Sequence, residues 1–209
     1  MILSGLRALT AGMFTLVSLS AQTVADYNRR GAEHFKLGHI EQSLDDFDRA
    51  IKLDPAEAPY NWQRGISLYY AGRYEDGRKQ FELHQTVNSN DVENAVWRYL
   101  CMARAGTVAS ARAAILPIQH DARVPMMQIY ALYQGKVRVD DVLAAAKAGN
   151  PPAEELNDRL FYAHLYIGLY YEAAGDAKAA REHIERAVRY RANHYMGDVA
   201  RVHLGLMKP

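Results

Sequence analysis

Apolar positions recur along this chain at helical spacing, and the helices they predict come in pairs. Leu44, Phe47, Ala50 and Ile51 form one such stripe, and Asp54-Pro55 stops the helix that carries it. Phe81 follows Phe47 by 34 residues, Gly65 follows Gly31 by 34, and Gly38, Gly72 and Gly106 are each 34 apart. A glycine inside a helix lets a neighbouring helix approach closely, and one just past its end suits a left-handed cap. The pattern predicts pairs at about 26–55 and 58–88, then a third opening at Asn90 with a capping-box-like Glu93. In the third pair Gly106 ends the first helix, Ala111 and Ile115 line the second, and Pro117 comes near its end.

The fourth unit is degenerate. Pro125 suits a first helical turn, 126–134 and 139–148 read as helices, and Gly135 comes five residues ahead of the period. Gly149-Asn150-Pro151-Pro152 is the clearest break in the chain. The pattern then returns. Gly168 and Gly175 are seven apart, as Gly31 and Gly38 are, and Ala180, Ile184 and Ala187 take the small-large-small places of a second helix. A half-polar helix at about 195–207 has the character that closes the end of a stack. The expectation is an all-α fold of five helix pairs, the fourth worn, with a C-terminal capping helix.

A 34-residue helix-pair period resembles the tetratricopeptide repeat (TPR), which implies a curved α-solenoid that presents surfaces to partners and rarely carries chemistry. Three blocks are similar to the bacterial TPR lipoproteins of the NlpI type: RGISLYYAGR from Arg64 to Arg73, Asn90-Asp91 through Leu100, and Phe161 to Tyr171 with Gly175-Asp176 and Ala187-Val188. That resemblance implies an adaptor of the Gram-negative cell envelope, which brings a tail-specific envelope protease to peptidoglycan hydrolases and tends to form a homodimer. The alternatives are an assembly factor for pili or secretion machinery, and a cell-wall hydrolase working through Glu93 or Glu172.

The first 25 residues differ from the rest. Arg7 is their only charge, 8–19 is a mostly apolar run, and small residues follow at Ser18, Ser20, Ala21 and Ala25. This order reads as a secretory signal peptide, cut after Ser20 or Ala25, with one TPR domain over 26–209. It predicts a periplasmic or secreted protein. No cysteine follows the run, so no lipid-linked membrane anchor is expected. The only cysteine, Cys101, reads as a buried small hydrophobe, and a single cysteine allows neither an internal disulfide nor a cysteine-rich zinc site. With 25 basic and 24 acidic side chains, the chain has no positive excess to bind nucleic acid.

No nucleophile elbow, phosphate loop, dinucleotide motif or His-Glu-x-x-His occurs, so no catalytic residue, metal or cofactor is assigned. The eight histidines are spaced for surface or core roles, and Asp45, Asp46 and Asp48 read as a solvated acidic face. In a TPR array the first helix of each pair lines the concave groove. The groove candidates are Asn28, Phe35, Trp62, Ile66, Tyr69, Tyr70, Arg73 and Arg104, rich in the aromatic and arginine types that anchor partners. The places of a Lys/Asn/Arg carboxylate clamp hold a fitting residue only at Asn28, which argues against a chaperone-tail clamp.

Overall fold

Where two helices of a pair cross, a ring or branched chain lies flat against a glycine. A Cβ on Gly31 would sit 2.9 Å from Phe47, one on Gly65 2.7 Å from Phe81, and one on Gly168 2.7 Å from Ile184. The 34-residue spacing records this packing: a small residue on one helix makes a hole, and a large one on its partner fills it.

A computed structural model describes residues 22–207, so residues 1–21 of the predicted 1–25 leader lie outside the described residues, while Val24 and Ala25 already belong to the first helix. Five pairs follow in order. They are α1 (Val24–Lys36) with α2 (Ile40–Leu53), α3 (Trp62–Tyr70) with α4 (Tyr74–His84), α5 (Val92–Ala105) with α6 (Val108–Ala113), α7 (Met126–Tyr133) with α8 (Val139–Lys147), and α9 (Ala153–Ala173) with α10 (Ala177–Arg189). A last helix, α11 (Tyr195–Leu206), closes the series, and a short 3-10 helix, Pro55–Tyr60, joins the first two pairs. No strand occurs among the described residues. The architecture is the expected all-α TPR-type solenoid.

The helices begin and end for local reasons. Thr23 and Asp26 form a reciprocal capping box at the start of α1, two residues ahead of the predicted boundary. First helices α1, α3, α7 and α9 end alike, on Gly38, Gly72, Gly135 and Gly175, each with positive φ. The residue after each donates back five positions, as His39 does to the His34 carbonyl at 2.9 Å. Gly135 keeps this role although it is out of period. Gly106 caps α5 with negative φ, so the third unit departs from the rule.

The third unit departs in other ways. Its second helix is only six residues long, and Ile115 and Pro117 lie beyond it, outside any helix. Pro117 offers no N–H and disfavours helix at the residue before it. The Tyr130 hydroxyl holds this stretch, donating to the Leu116 carbonyl at 2.9 Å and accepting from the Ile118 N–H at 3.2 Å. Tyr99 stands where the period would put the contact glycine, and its ring packs edge-on against Tyr133 at 5.0 Å. The cap of α5 is also not the expected one. Asp91 accepts from the Glu93 N–H at 3.0 Å, while Asn90 accepts from the Gln119 N–H at 3.1 Å.

The acidic run on α2 is not one solvated face. Asp46 is buried and pairs with Arg30 of α1, its carboxyl held below the usual range mainly by the hydrogen bonds from that guanidinium. Asp45 and Asp48 are exposed, and Asp48 accepts from Arg64 of the next pair at 2.6 Å. Cys101 is buried against Gly77, and burial pushes its thiol pKa up, so it packs as a small hydrophobe.

The glycine contact gives a direct test. Alanine in a helix interior gains about 1 kcal/mol over glycine, whereas overfilling a packed contact costs about 1–3 kcal/mol. Phe81 is 1% exposed and cannot swing clear. Gly65→Ala is therefore expected to lower unfolding free energy by up to about 2 kcal/mol in urea titrations. In a Phe81→Leu background the same change should cost less, because the ring that clashes is gone.

Candidate functional site

The first helices of the pairs form an inner layer: α3 packs on α5, α5 on α7 and α9, and α7 on α9. The end of the chain returns to its start, with α11 packed against α1 as well as α10. The final helix thus caps α10 and also occupies the concave side. Tyr195 of α11 stacks on Phe35 at 5.2 Å and meets Trp62 edge-on at 5.2 Å. Farther along α11, His203 Nδ1 lies 3.0 Å from the Tyr70 hydroxyl. Burial lowers the His203 pKa, so this pair is a neutral hydrogen bond in a dry setting.

The eight groove candidates separate on this geometry. Phe35 and Ile66 have no solvent exposure, and Tyr69 is buried between Tyr70, Tyr74 and Trp97. Those three belong to the protein's own core while α11 is in place. Tyr70 and Trp62 are half-buried beneath α11. Asn28 is half-buried and accepts from the Asn61 side chain at 2.9 Å, tying α1 to the start of α3. Arg73 and Arg104 are exposed. Arg73 stands in the turn before α4 and pairs with Asp76 at 2.9 Å, while Arg104 lies over the Tyr74 ring at 5.5 Å and 3.8 Å from Glu172. The structure brings the aromatic members together as one packed cluster and leaves the two arginines at its edge.

A second cluster, at the start of α5, carries most of the unusual electrostatics. Arg123, in the stretch before α7, reaches Asp121 at 2.6 Å, Asp91 at 2.7 Å and Glu93 at 2.6 Å. The other oxygen of Glu93 accepts a short hydrogen bond from the Tyr166 hydroxyl of α9. One guanidinium and one phenol therefore join three elements at a single carboxylate. Burial, with Asp91 close by, pushes Glu93 up to about 7 despite the bonds from Arg123 and Tyr166. Asp121 goes the other way: burial raises it, and hydrogen bonds from Arg123 and from the Arg123 and Val92 N–H groups more than offset this. Both oxygens of Glu93 are engaged, Oε1 by Arg123 and Oε2 by Tyr166. Sequence reading named Glu93 as a carboxylate of interest but missed Arg123, Asp121 and Tyr166. They come from three separate segments with no shared spacing, so no periodic signal links them.

Among the described residues no group of three His, Cys, Asp or Glu could hold a metal ion, and no helix is long and apolar enough to cross a membrane.

The raised Glu93 fixes a pH signature. In the unfolded chain a glutamate titrates near its ordinary value of about 4.3. Between that value and about 7 the folded protein holds a proton that the unfolded chain has released. The Glu93 contribution to stability is therefore complete below the unfolded value and is lost as pH rises through 7. Glu93→Gln removes this dependence and leaves the histidine titrations common to both proteins. The stability of the native protein relative to Glu93→Gln is expected to fall by roughly 2–3 kcal/mol from pH 4.5 to 8, measured by urea unfolding at each pH.

Residues 25–56 match the tetratricopeptide repeat family. The matched stretch covers nearly all of α1, the whole of α2 and the first residues of the 3-10 helix, the pair in which Gly31 meets Phe47. The chain is thus an all-α protein that carries a tetratricopeptide repeat, a helix-pair unit whose general role is to bind other proteins.

Proposed function

We propose that this chain is a non-enzymatic scaffold that binds proteins and acts as an exported adaptor of the cell envelope. On this reading it joins an envelope protease to peptidoglycan hydrolases, as the NlpI-like blocks at 64–73, 90–100 and 161–171 imply. The observation that carries the scaffold reading is the stack of helix pairs itself, whose inner layer is stiffened by buried aromatic contacts and edged by the exposed Arg73 and Arg104. The partner surface on this reading is the edge of the groove, with Arg73 and Arg104 at its exposed end and α11 covering the floor.

The cap of α1 bears on export. Cleavage after Ser20 keeps Thr23 in its capping box, whereas cleavage after Ala25 removes Thr23 and the first two residues of α1. The processing site on this reading is therefore Ser20, since losing a helix N-cap costs about 1 kcal/mol.

Affinity capture from envelope extract tests the adaptor reading. The exported protein, its N-terminus sequenced, should begin at Ala21 and retain a protease together with cell-wall hydrolases. Arg73→Glu combined with Arg104→Glu should fold normally, because both side chains are exposed, and should cut capture by at least about tenfold. Capture unchanged by the double substitution would remove the groove edge as the partner surface. Recovery of pilus or secretion components instead would move the reading to an assembly factor.

A further inference from the structure

Tyr170, Tyr171 and Glu172 follow one another near the end of α9 and turn three ways. Glu172 turns inward, 3.5 Å from the Tyr69 hydroxyl and 3.6 Å from His203 Nε2. Tyr170 meets Tyr133 of α7 at 5.4 Å, and Tyr171 meets His183 of α10 at 5.6 Å. Successive residues of a helix stand about 100° apart, so the two tyrosines line a different side of α9. There α8 and α10 each pack on α9, and between them lies a second groove of about 600 Å³, within the usual size range of ligand sites.

The walls of this groove are apolar: Leu132 of α7, Val139 and Leu143 of α8, and the two tyrosines. All but Leu132 are only half-buried, so this surface still meets water. Arg138, just ahead of α8, and Arg186 of α10 line the same groove and are exposed. Most arginines of the chain pair with a carboxylate, as Arg30, Arg78, Arg98 and Arg123 do. Arg138 and Arg186 make no ion pair among the described residues, and Asp140 is the only acidic side chain on the lining. The adjoining histidines feel the imbalance. His164 and His183 meet through their Nδ1 atoms at 3.0 Å. Burial, then His183, Arg186 and Lys147, lower His164 to about 4; burial and then Arg186 lower His183, with Glu182 opposing. The wall thus combines uncompensated positive charge with half-buried apolar surface.

We propose that this groove binds an acidic peptide segment with an aliphatic centre, whose apolar side chain lies between Val139, Leu143 and Tyr170 and whose flanking carboxylates meet Arg138 and Arg186. Charge complementarity selects this occupant. A basic segment would face two guanidiniums. A neutral apolar segment would cover the walls and leave both guanidiniums without an anion, and an anion with no apolar part would leave the walls in water. A guanidinium fork also matches a carboxylate in geometry. The inference rests on the scaffold reading in taking the ligand to be a protein segment. It gives an adaptor a second surface, on another side of α9 from the contact between Arg104 and Glu172.

The probe is a fluorescein-labelled peptide, Gly-Glu-Glu-Leu-Val-Leu-Glu-Glu-Gly, titrated into the full folded protein and read by anisotropy. It should bind saturably. The same peptide with Gln for Glu, and one with Ser for the three apolar residues, should each bind at least about fivefold more weakly. Arg138→Gln combined with Arg186→Gln should fold normally, because both side chains are exposed, and should weaken the acidic peptide by at least about fivefold. Arg73→Glu combined with Arg104→Glu should leave this binding unchanged, which separates a failure of this groove from a failure of the groove edge. The His183 ring resonances, assigned with His183→Gln, should move as the acidic peptide binds. The assignment is overturned by an acidic peptide that does not bind, that binds no tighter than its Gln or Ser form, or that binds the Arg138/Arg186 variant equally well. Octanoate moving the His183 resonances where the peptide does not would overturn it in favour of a lipid carboxylate.

Discussion

The contact between Phe35 of α1 and Tyr195 of α11 turns an open stack of helix pairs into a closed one. Without it the inner layer would present a free concave face, the usual arrangement for an array that takes up extended partners. With it, the aromatic residues that would line that face become the protein's own core. Phe35, Tyr70, Tyr69 and Trp97 follow one another at ring separations between 5.3 and 5.5 Å, so the closure at one end is mechanically continuous with the centre of the molecule. Aromatic pairs in such offset or edge-on arrangements contribute about 0.5–1.5 kcal/mol each beyond their buried area. The two that cross to α11, Tyr195 with Phe35 and with Trp62, favour the closed arrangement.

Closure also explains why charge collects where it does. Once α11 covers the floor of the groove, the neighbouring wall at the start of α5 is partly cut off from water. Asp91, Glu93 and Asp121 then need a counterion, and Arg123 supplies it from the stretch ahead of α7. One positive charge serves three carboxyl groups, so the cluster stays short of cation, and Glu93 gives way by holding its proton. The same seclusion leaves Trp97 Nε1 and Asn94 Oδ1 buried without a protein partner. The orphaned atoms and the shifted carboxyl are two results of one burial.

The helix pairs were legible in the sequence because their packing is periodic. A glycine opposite a phenylalanine must recur at the repeat length, and the cap glycines at Gly38, Gly72 and Gly175 recur with it. The third unit was misread where the period is broken by substitution. Tyr99 replaces the contact glycine and Pro117 ends the helical chain, so Ile115 sits beyond the second helix. The groove was legible only as far as which residues belong to first helices. What the sequence could not show is that α11 returns to α1, because that contact joins segments about 160 residues apart in one chain and repeats nowhere. The half-polar pattern of α11 reads equally as an end cap and as a groove occupant. Arg123 and Tyr166 were invisible for the same reason: their meeting with Glu93 is long-range and occurs once.

A double-mutant cycle on Phe35→Leu and Tyr195→Leu, measured by urea unfolding, tests the closure most directly. Each change alone should destabilise the protein, and the two together should cost less than their sum by about 0.5–1.5 kcal/mol, the coupling of a buried aromatic pair. Strictly additive losses would mean that α11 does not rest on α1, and the concave face would then be open.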